Sequence, residues 1–238
     1  MGEWRLMLYY VMKGTAVCGA QPADSLITCH RGYAAMDWDE IPDRQTIDKT
    51  MEGLRQRNFN PMLVPDKAEA LEKLKQLIPS GAEVMTGSST TLDEIGFIAF
   101  LISKKHSWRN WKDQILAEKD PGKQQDLRRA STTAEYFLGS VQAITEQGQA
   151  LGADASGSRQ GGYVFGAKNV VWVVGVNKIV PDLDSAFRRL HEHCVPLEDA
   201  RMKSAGFPGT FIGKMVVYEK EGSPGRVTTI LVGEKLGF

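Results

Sequence analysis

Hydroxyl-bearing side chains cluster at Thr86–Thr91, between a short apolar run and a longer apolar stretch with helical spacing. That order predicts a buried strand, a turn and the start of a helix. A helix N-terminus leaves about four backbone N–H groups without partners and carries roughly half a positive charge. A phosphate or carboxylate is its natural partner, whereas simple helix capping is the alternative. The predicted anion-binding residues are Thr86, Gly87, Ser88, Ser89, Thr90 and Thr91.

A charged side chain has to join this turn if the site is to hold a ligand firmly. An exposed helix terminus contributes only about 0.3–1 kcal/mol, whereas micromolar affinity requires about 8 kcal/mol. Lys178, with Asn177 beside it, follows the apolar run Val170–Val174, and ligands of open α/β sheets bind beyond the carboxyl ends of the strands. Arg159, next to Ser158 in a Gly- and Ser-rich loop, could pair with a carboxylate or phosphate. Solvation at the surface is the alternative for both cations.

Two residues are candidates for a catalytic role, although the sequence does not identify a reaction. One is Lys178, and the other is Glu234, which follows the last apolar run and could act as a general acid or base if partly buried. A helix cap or an ion pair is the alternative for Glu234. We predict no metal site, because His191 and His193 would lie about 200° apart on a helix. His191 and Cys194 alone are too few ligands for structural zinc.

The composition is that of an ordinary globular protein. The 238 residues carry zero formal net charge, so we expect no nucleic-acid or membrane partner. Cys18, Cys29 and Cys194 are scattered, which favours a reducing compartment, and we expect the cytoplasm. Leu6–Met12 behind Arg5 faintly resembles a secretory signal, but a short strand or a loosely packed extension is the preferred interpretation.

Helical patterns begin after residue 40, so we predict an N-terminal extension at 1–40 and an α/β domain at 41–238. Asp66 and Glu69 have the spacing of a capping box at the start of a helix. That helix is expected to bury Ala68, Leu71, Leu74 and Ile78. After the hydroxyl-rich turn we predict one buried helix, with a stripe formed by Leu92, Ile95, Ala99 and Ile102. Two further helices are predicted on either side of Asp120–Gly122.

The second half of the sequence predicts mostly strands. Val170–Val174 predicts a central strand covered on both faces, and residues 155–162 predict a loop. Two β-hairpins are expected, one from Val141–Thr145 with Gln149–Ala153, the other from Met215–Tyr218 with Thr228–Val232. The alternation of strands and helices predicts an α/β fold with a largely parallel sheet, flanking helices and these hairpins. Signatures of common dinucleotide-binding, P-loop, zincin and α/β-hydrolase sites are missing from the sequence.

The chain resembles the LUD domain of lactate-utilization proteins of the B and C type, in five segments that follow the family's order. These are ALEKLKQLIPSGAEVMTGSSTTLDEIG, AEYFLGSVQAITEQGQAL, SGSR, VWVVGVNKIVPDLDSAFRR and ILVGEKLGF. The resemblance extends from Ile47 to Phe238. It implies a modified Rossmann-like fold, similar to that of glucosamine-6-phosphate isomerase, ribose-5-phosphate isomerase and the CoA-transferases. The isomerases have a Thr-Gly-Ser-Thr phosphate loop, to which Thr86–Thr90 is similar with one extra serine.

The resemblance implies that the protein binds a small anionic metabolite and is linked to lactate or other organic-acid metabolism. The alternatives are a non-catalytic subunit or scaffold of an oxidoreductase complex, and an ATP-dependent enzyme similar to the folate cyclo-ligases. The partner would then be another copy of the chain or an oxidoreductase complex, and no cofactor is identified. Many bacterial relatives carry a cysteine cluster where Pro196–Lys214 has none, which argues against an iron–sulfur or zinc role there.

Overall fold

The computed structural model describes residues 36–238, and Trp38–Phe238 form one compact unit. The predicted extension at 1–40 therefore lies outside the described residues except for 36–40, and so do Cys18, Cys29 and the apolar run Leu6–Met12. No helix within the described part of the chain is long and apolar enough to cross a membrane.

Short strands and helices alternate along the first part of the unit. In chain order they are α1 (Arg44–Gln56), β1 (Pro61–Val64), α2 (Lys67–Leu77), β2 (Glu83–Thr86), α3 (Thr90–Glu94), α4 (Phe97–Ser103), β3 (Arg109–Asn110), α5 (Trp111–Ala117), α6 (Pro121–Ala130) and β4 (Tyr136–Gly139). The helix pair α5 and α6 is separated at Glu118–Asp120, close to the predicted break. Pro121 begins α6 because a proline lacks the N–H that a first helical residue leaves unused.

Strands dominate the second part of the unit. They are β5 (Ala143–Thr145), β6 (Ala150–Asp154), β7 (Asn169–Gly175), β8 (Ile179–Val180), β9 (Lys214–Tyr218) and β10 (Val227–Val232). Between them lie α7 (Ser158–Gly161), α8 (Leu183–Arg189) and α9 (Val195–Ser204). The predicted loop at 155–162 is thus wrong in part, because four of its residues form the short helix α7.

A six-stranded parallel sheet with the order β1-β10-β7-β4-β2-β3 forms the centre of the fold. The α/β class and the largely parallel sheet are therefore confirmed. Val170–Val174 lie in β7, between β10 and β4, and are buried throughout. A β-branched run of this kind suits a strand covered on both faces.

A second, mixed sheet has the order β8-β5-β6-β9. The predicted first hairpin is confirmed, since β5 and β6 pair antiparallel. The predicted second hairpin is wrong. Residues Met215–Tyr218 pair with β6 in this sheet, whereas Thr228–Val232 lie in the large sheet between β1 and β7. Strand β10 is fully buried and has a hydrogen-bonded neighbour on each side in the large sheet. In a hairpin it would pair with β9 alone, and β9 is half-exposed.

Two predicted helical faces also need correction. Asp66 caps α2 by accepting the Glu69 N–H at 2.9 Å, as predicted. Ala68, however, is exposed, while Ala70 is buried with Leu74 on the face that meets the sheet. Ala68 lies three residues before Leu71 and Ala70 four residues before Leu74, and both spacings fit a helix. The sequence pattern alone therefore did not show which alanine is buried.

The single helix predicted after the turn is wrong, because Gly96 divides it into α3 and α4. Gly96 has a φ of +78°, which ends α3 after five residues. Ala99, predicted on the buried stripe, is exposed. A five-residue helix aligns few peptide dipoles, so α3 supplies much less N-terminal charge than the predicted longer helix would.

Candidate functional site

Three adjacent parallel strands place the predicted site residues at one edge of the large sheet. Strand β2 ends at Thr86, which pairs with Leu138 of β4, and the Gly87 N–H donates to the Leu138 carbonyl at 3.2 Å. Ser140 follows directly after β4. Lys178 ends the short 3₁₀ turn after β7. The carboxyl ends of these strands therefore bring the hydroxyl-rich turn, Ser140 and Lys178 together.

Lys178 contacts the last residue of the turn. Its Nζ donates to Thr91 Oγ1 at 3.1 Å and to Ser140 Oγ at 3.3 Å. Lys178 is only 2% exposed, and both hydroxyl residues are buried as well. The structure thus brings Lys178 and one end of the predicted turn into a single buried cluster.

The Lys178 amine lacks an acidic partner. Within residues 36–238, no carboxylate oxygen lies within 4.0 Å of its Nζ. Burial is the main cause that lowers the pKa of Lys178 to about 7. The positive charges of Arg189 and Arg159 lower that pKa as well, whereas Cys194 and the carboxylate of Glu94 act in the opposite direction. Near neutral pH the side chain is therefore divided between ammonium and neutral amine. A charged ammonium has three N–H donors, of which the two hydroxyls accept only two.

Arg189 is a second buried cation that sequence reasoning missed. Its Nη1 donates to the Gln142 carbonyl at 2.5 Å and to Cys194 Sγ at 3.1 Å, while its Nε is buried without a partner. Burial lowers the pKa of Arg189. One sequence signal was available, because Arg189 lies three residues after Ala186 and so shares the apolar face of its helix.

A short segment after β10, Glu234–Phe238, lies over Lys178, and we call it the strap. The Leu236 N–H donates to Asn177 Oδ1 at 3.1 Å, and the Gly237 N–H donates to Glu94 Oε2 at 2.6 Å. A Cβ on Gly237 would lie 2.4 Å from Thr91 Oγ1 and 3.0 Å from Lys178 Nζ. The strap therefore fills the space directly beside the amine.

The strap also contains Glu234, the second catalytic candidate. Glu234 Oε2 accepts the N–H of Lys67, the first residue of α2, at 3.2 Å. This contact matches the helix-cap alternative. Asn177, beside Lys178, is buried, and its Nδ2 has no hydrogen-bond partner although Oδ1 is used by the strap. The amide N–H₂ of Asn177 is thus an unused donor within the buried cluster.

Arg159 reaches the opposite end of the turn and supports its backbone. Its Nη1 donates to the Ser88 carbonyl at 3.0 Å, and its Nη2 donates to the Ala153 carbonyl at 2.7 Å. A Cβ on Gly87 would lie 2.5 Å from Arg159 Cδ, so only glycine permits this approach. Ser158 instead contacts Ser156, with 3.0 Å between their hydroxyl oxygens. These contacts give Arg159 a structural role in holding the turn.

The remaining residues of the turn have separate environments. Ser89 Oγ accepts the Leu92 N–H at 3.2 Å and caps α3. Thr86 is buried, and its Oγ1 has no hydrogen-bond partner. Ser88 is exposed and Thr90 half-buried. Because Ser89 acts as a cap and α3 is short, the charge that could attract an anion comes from Lys178 rather than from the helix terminus.

The residues considered as metal ligands, His191, His193 and Cys194, have separate surroundings. His191 is exposed, whereas His193 Nε2 lies 3.6 Å from Asp39 Oδ1. Burial lowers the pKa of His193. Cys194 contacts Arg189, as described above. Over residues 36–238, no three His, Cys, Asp or Glu side chains are grouped so that they could hold a metal ion.

Comparisons with known proteins identify a family whose sequence model matches this chain. The sequence model of the LUD domain matches residues 47–232. A crystal structure of a DUF162 family protein from Deinococcus radiodurans is 12% identical, with a TM-score of 0.48. The similarity covers 79% of this chain and 96% of that chain. No curated protein matches this chain.

Proposed function

This chain belongs to the LUD domain family, and we propose that it binds a small anionic metabolite at Lys178, in lactate or other organic-acid metabolism. The observation that carries the proposal is the buried Lys178 amine, which meets two hydroxyls and no carboxylate among residues 36–238. A buried charge without a partner is costly. A ligand carboxylate or phosphate would supply the missing negative charge and the third hydrogen-bond acceptor.

The polar groups around Lys178 favour an anion over a neutral ligand. Arg189 adds a second positive charge near Lys178, and the unused Nδ2 of Asn177 is a further donor. The carboxylate of Glu94 also acts on the amine, but its Oε2 accepts the Gly237 N–H of the strap. Thr91 and Ser140 hold the amine in place, so little side-chain entropy remains to be lost on binding. Together these groups would bind the oxygens of a carboxylate or phosphate.

Ligand entry requires the strap to move, because Gly237 occupies the space beside the amine. The polar contacts that hold Leu236 and Gly237 there are two backbone hydrogen bonds, to Asn177 and Glu94. Each such hydrogen bond contributes about 1 kcal/mol to the stability of the strap in this position, and somewhat more if the acceptor is charged. Leu236 is also buried, and exposing its side chain would cost roughly 1.5–3 kcal/mol more. An ion pair between a ligand and Lys178 has to offset both costs for the strap to move.

The proposal can be tested by isothermal titration of the protein with lactate, pyruvate, acetate and phosphate at pH 7. We expect Lys178→Met to weaken the binding of any of these anions at least about tenfold, since a buried ion pair is lost. Lys168→Met is the matched control, because Lys168 is exposed and lies 3.9 Å from its nearest partner, Glu135. Equal affinity in the wild type and Lys178→Met would refute the site.

A further inference from the structure

Lys178 has the surroundings of a nucleophile as well as those of a binding group. We propose that its amine forms an imine with a small carbonyl compound that also carries an anionic group. The inference rests on the proposed function, because the anionic group is what brings the compound to Lys178. It adds a covalent step and limits the ligands to 2-oxo acids and phosphorylated aldehydes or ketones.

The hydrogen bonds of Nζ leave one of its tetrahedral positions without a partner. Two of its tetrahedral positions are directed to the hydroxyls of Thr91 and Ser140, at 3.1 and 3.3 Å. In the neutral amine these positions hold the two N–H groups, so the lone pair occupies the remaining side. Gly237 of the strap lies close to Nζ. Once Gly237 is displaced, a carbonyl carbon bound beside Nζ would be within reach of the lone pair.

The charge state of Lys178 also suits nucleophilic attack. Burial and the neighbouring Arg189 lower the pKa of Lys178 to about 7, whereas an exposed lysine has a pKa of about 10.4. At pH 7 the fraction of neutral amine is therefore about a thousandfold greater at Lys178 than at an exposed lysine. Desolvation and a nearby cation are the two known means of activating a lysine.

The step is balanced without any other reagent. The Nζ lone pair forms a bond to the carbonyl carbon, and a proton passes from nitrogen to the carbonyl oxygen, giving a carbinolamine. The C–O bond then breaks, the oxygen leaves as water after taking up a second proton, and nitrogen forms the C=N bond. Thr91 Oγ1 donates to Ser140 Oγ at 3.5 Å. These two hydroxyls are therefore placed to pass protons between nitrogen and the departing oxygen.

Trapping with sodium cyanoborohydride tests the proposal, because hydride converts an imine into a stable secondary amine. The full-length protein is incubated with pyruvate or glycolaldehyde phosphate, and peptide mass spectrometry then quantifies adducts at Lys178 and Lys168. We expect the adduct at Lys178 to form at least about tenfold faster at pH 7, since more of its amine is neutral. The rate at Lys178 should reach half its maximum near pH 7. Lys178→Arg should form no adduct there.

The outcomes separate this inference from the proposed function. If pyruvate or glycolaldehyde phosphate binds through Lys178 in calorimetry but gives no adduct, the imine is refuted and the binding site stands. If no anion binds and no adduct forms, both are refuted. An adduct that forms at Lys178 no faster than at Lys168 also refutes the imine. The comparison of two lysines within the wild type remains decisive even if Lys178→Arg does not fold.

Discussion

In the proposed site, Lys178 is the residue that would bind the ligand, because it is the buried cation that contacts Thr91 of the hydroxyl-rich turn. Its contacts to Thr91 and Ser140 fix the amine, and burial, assisted by the nearby Arg189, lowers its pKa so that part of it is neutral near pH 7. Arg159, the other cation predicted to bind the ligand, donates hydrogen bonds from its guanidinium to the backbone carbonyls of Ser88 and Ala153. The two cations therefore have different surroundings: Lys178 contacts buried hydroxyls, which is why we propose it as the binding group, whereas Arg159 holds backbone carbonyls.

The lowered pKa of Lys178 predicts how stability should change with pH. The folded pKa is about 7 and the unfolded pKa about 10.4, so between these values the unfolded chain binds more protons. Stability therefore rises with pH in this window, and Lys178 destabilises the fold most at pH 7 and below. The free energy by which Lys178 destabilises the fold is at most about 5 kcal/mol.

Urea denaturation of the wild type and Lys178→Met at several values between pH 6 and pH 10 measures this effect. We expect the stability of Lys178→Met relative to the wild type to be highest at pH 6–7 and to fall as the pH rises. Other groups titrate alike in both proteins and cancel, including Lys112, whose pKa burial also lowers to about 7. A difference that does not depend on pH would show that Lys178 has an ordinary pKa.

In the proposed site, the strap is the element that a ligand must displace to reach Lys178, because Gly237 lies beside Nζ. We predict that Gly237→Ala raises the affinity for the bound anion severalfold. A Cβ at this position would lie 2.4 Å from Thr91 Oγ1, so the strap would leave the site and no longer compete with the ligand. Calorimetric titration of the variant with the anion that binds the wild type measures the change.

Gly225→Ala is the matched control for this experiment. Both glycines have a positive φ, of +58° at Gly237 and +86° at Gly225. A Cβ on Gly225, however, would meet nothing within 4 Å. The variant therefore carries the same kind of backbone strain without a clash at the site. If Gly237→Ala binds the anion no better than Gly225→Ala, the strap does not compete with the ligand.

The elements differ in how well the sequence predicted them. Strand β7 and the turn after β2 were predictable, because a continuous apolar run and a cluster of small polar residues are local signals. The pairing of β10 was not, since its two neighbours are distant in the sequence and a short Gly-rich connection also fits a hairpin. The break at Gly96 was missed because apolar residues continue on both sides of it.

At the scale of the whole molecule, the parallel sheet assembles the site from distant parts of the chain. Thr91 at the end of the turn, Ser140 and Lys178 come together because β2, β4 and β7 are adjacent and end at the same edge. The general rule for open α/β sheets made this convergence predictable. The burial of Arg189 had a sequence signal, but its place near Lys178 and the position of the strap were not predictable, because they depend on how α8 and the segment after β10 pack against that edge.

The most direct test of anion binding at Lys178 is a crystal structure of the protein soaked in pyruvate. We expect a carboxylate oxygen within hydrogen-bond distance of Lys178 Nζ, or an imine carbon bonded to it, with Gly237 displaced from its present position. Pyruvate bound elsewhere on the protein, with the strap still in contact with Thr91 and Lys178, would contradict the site proposed for this chain.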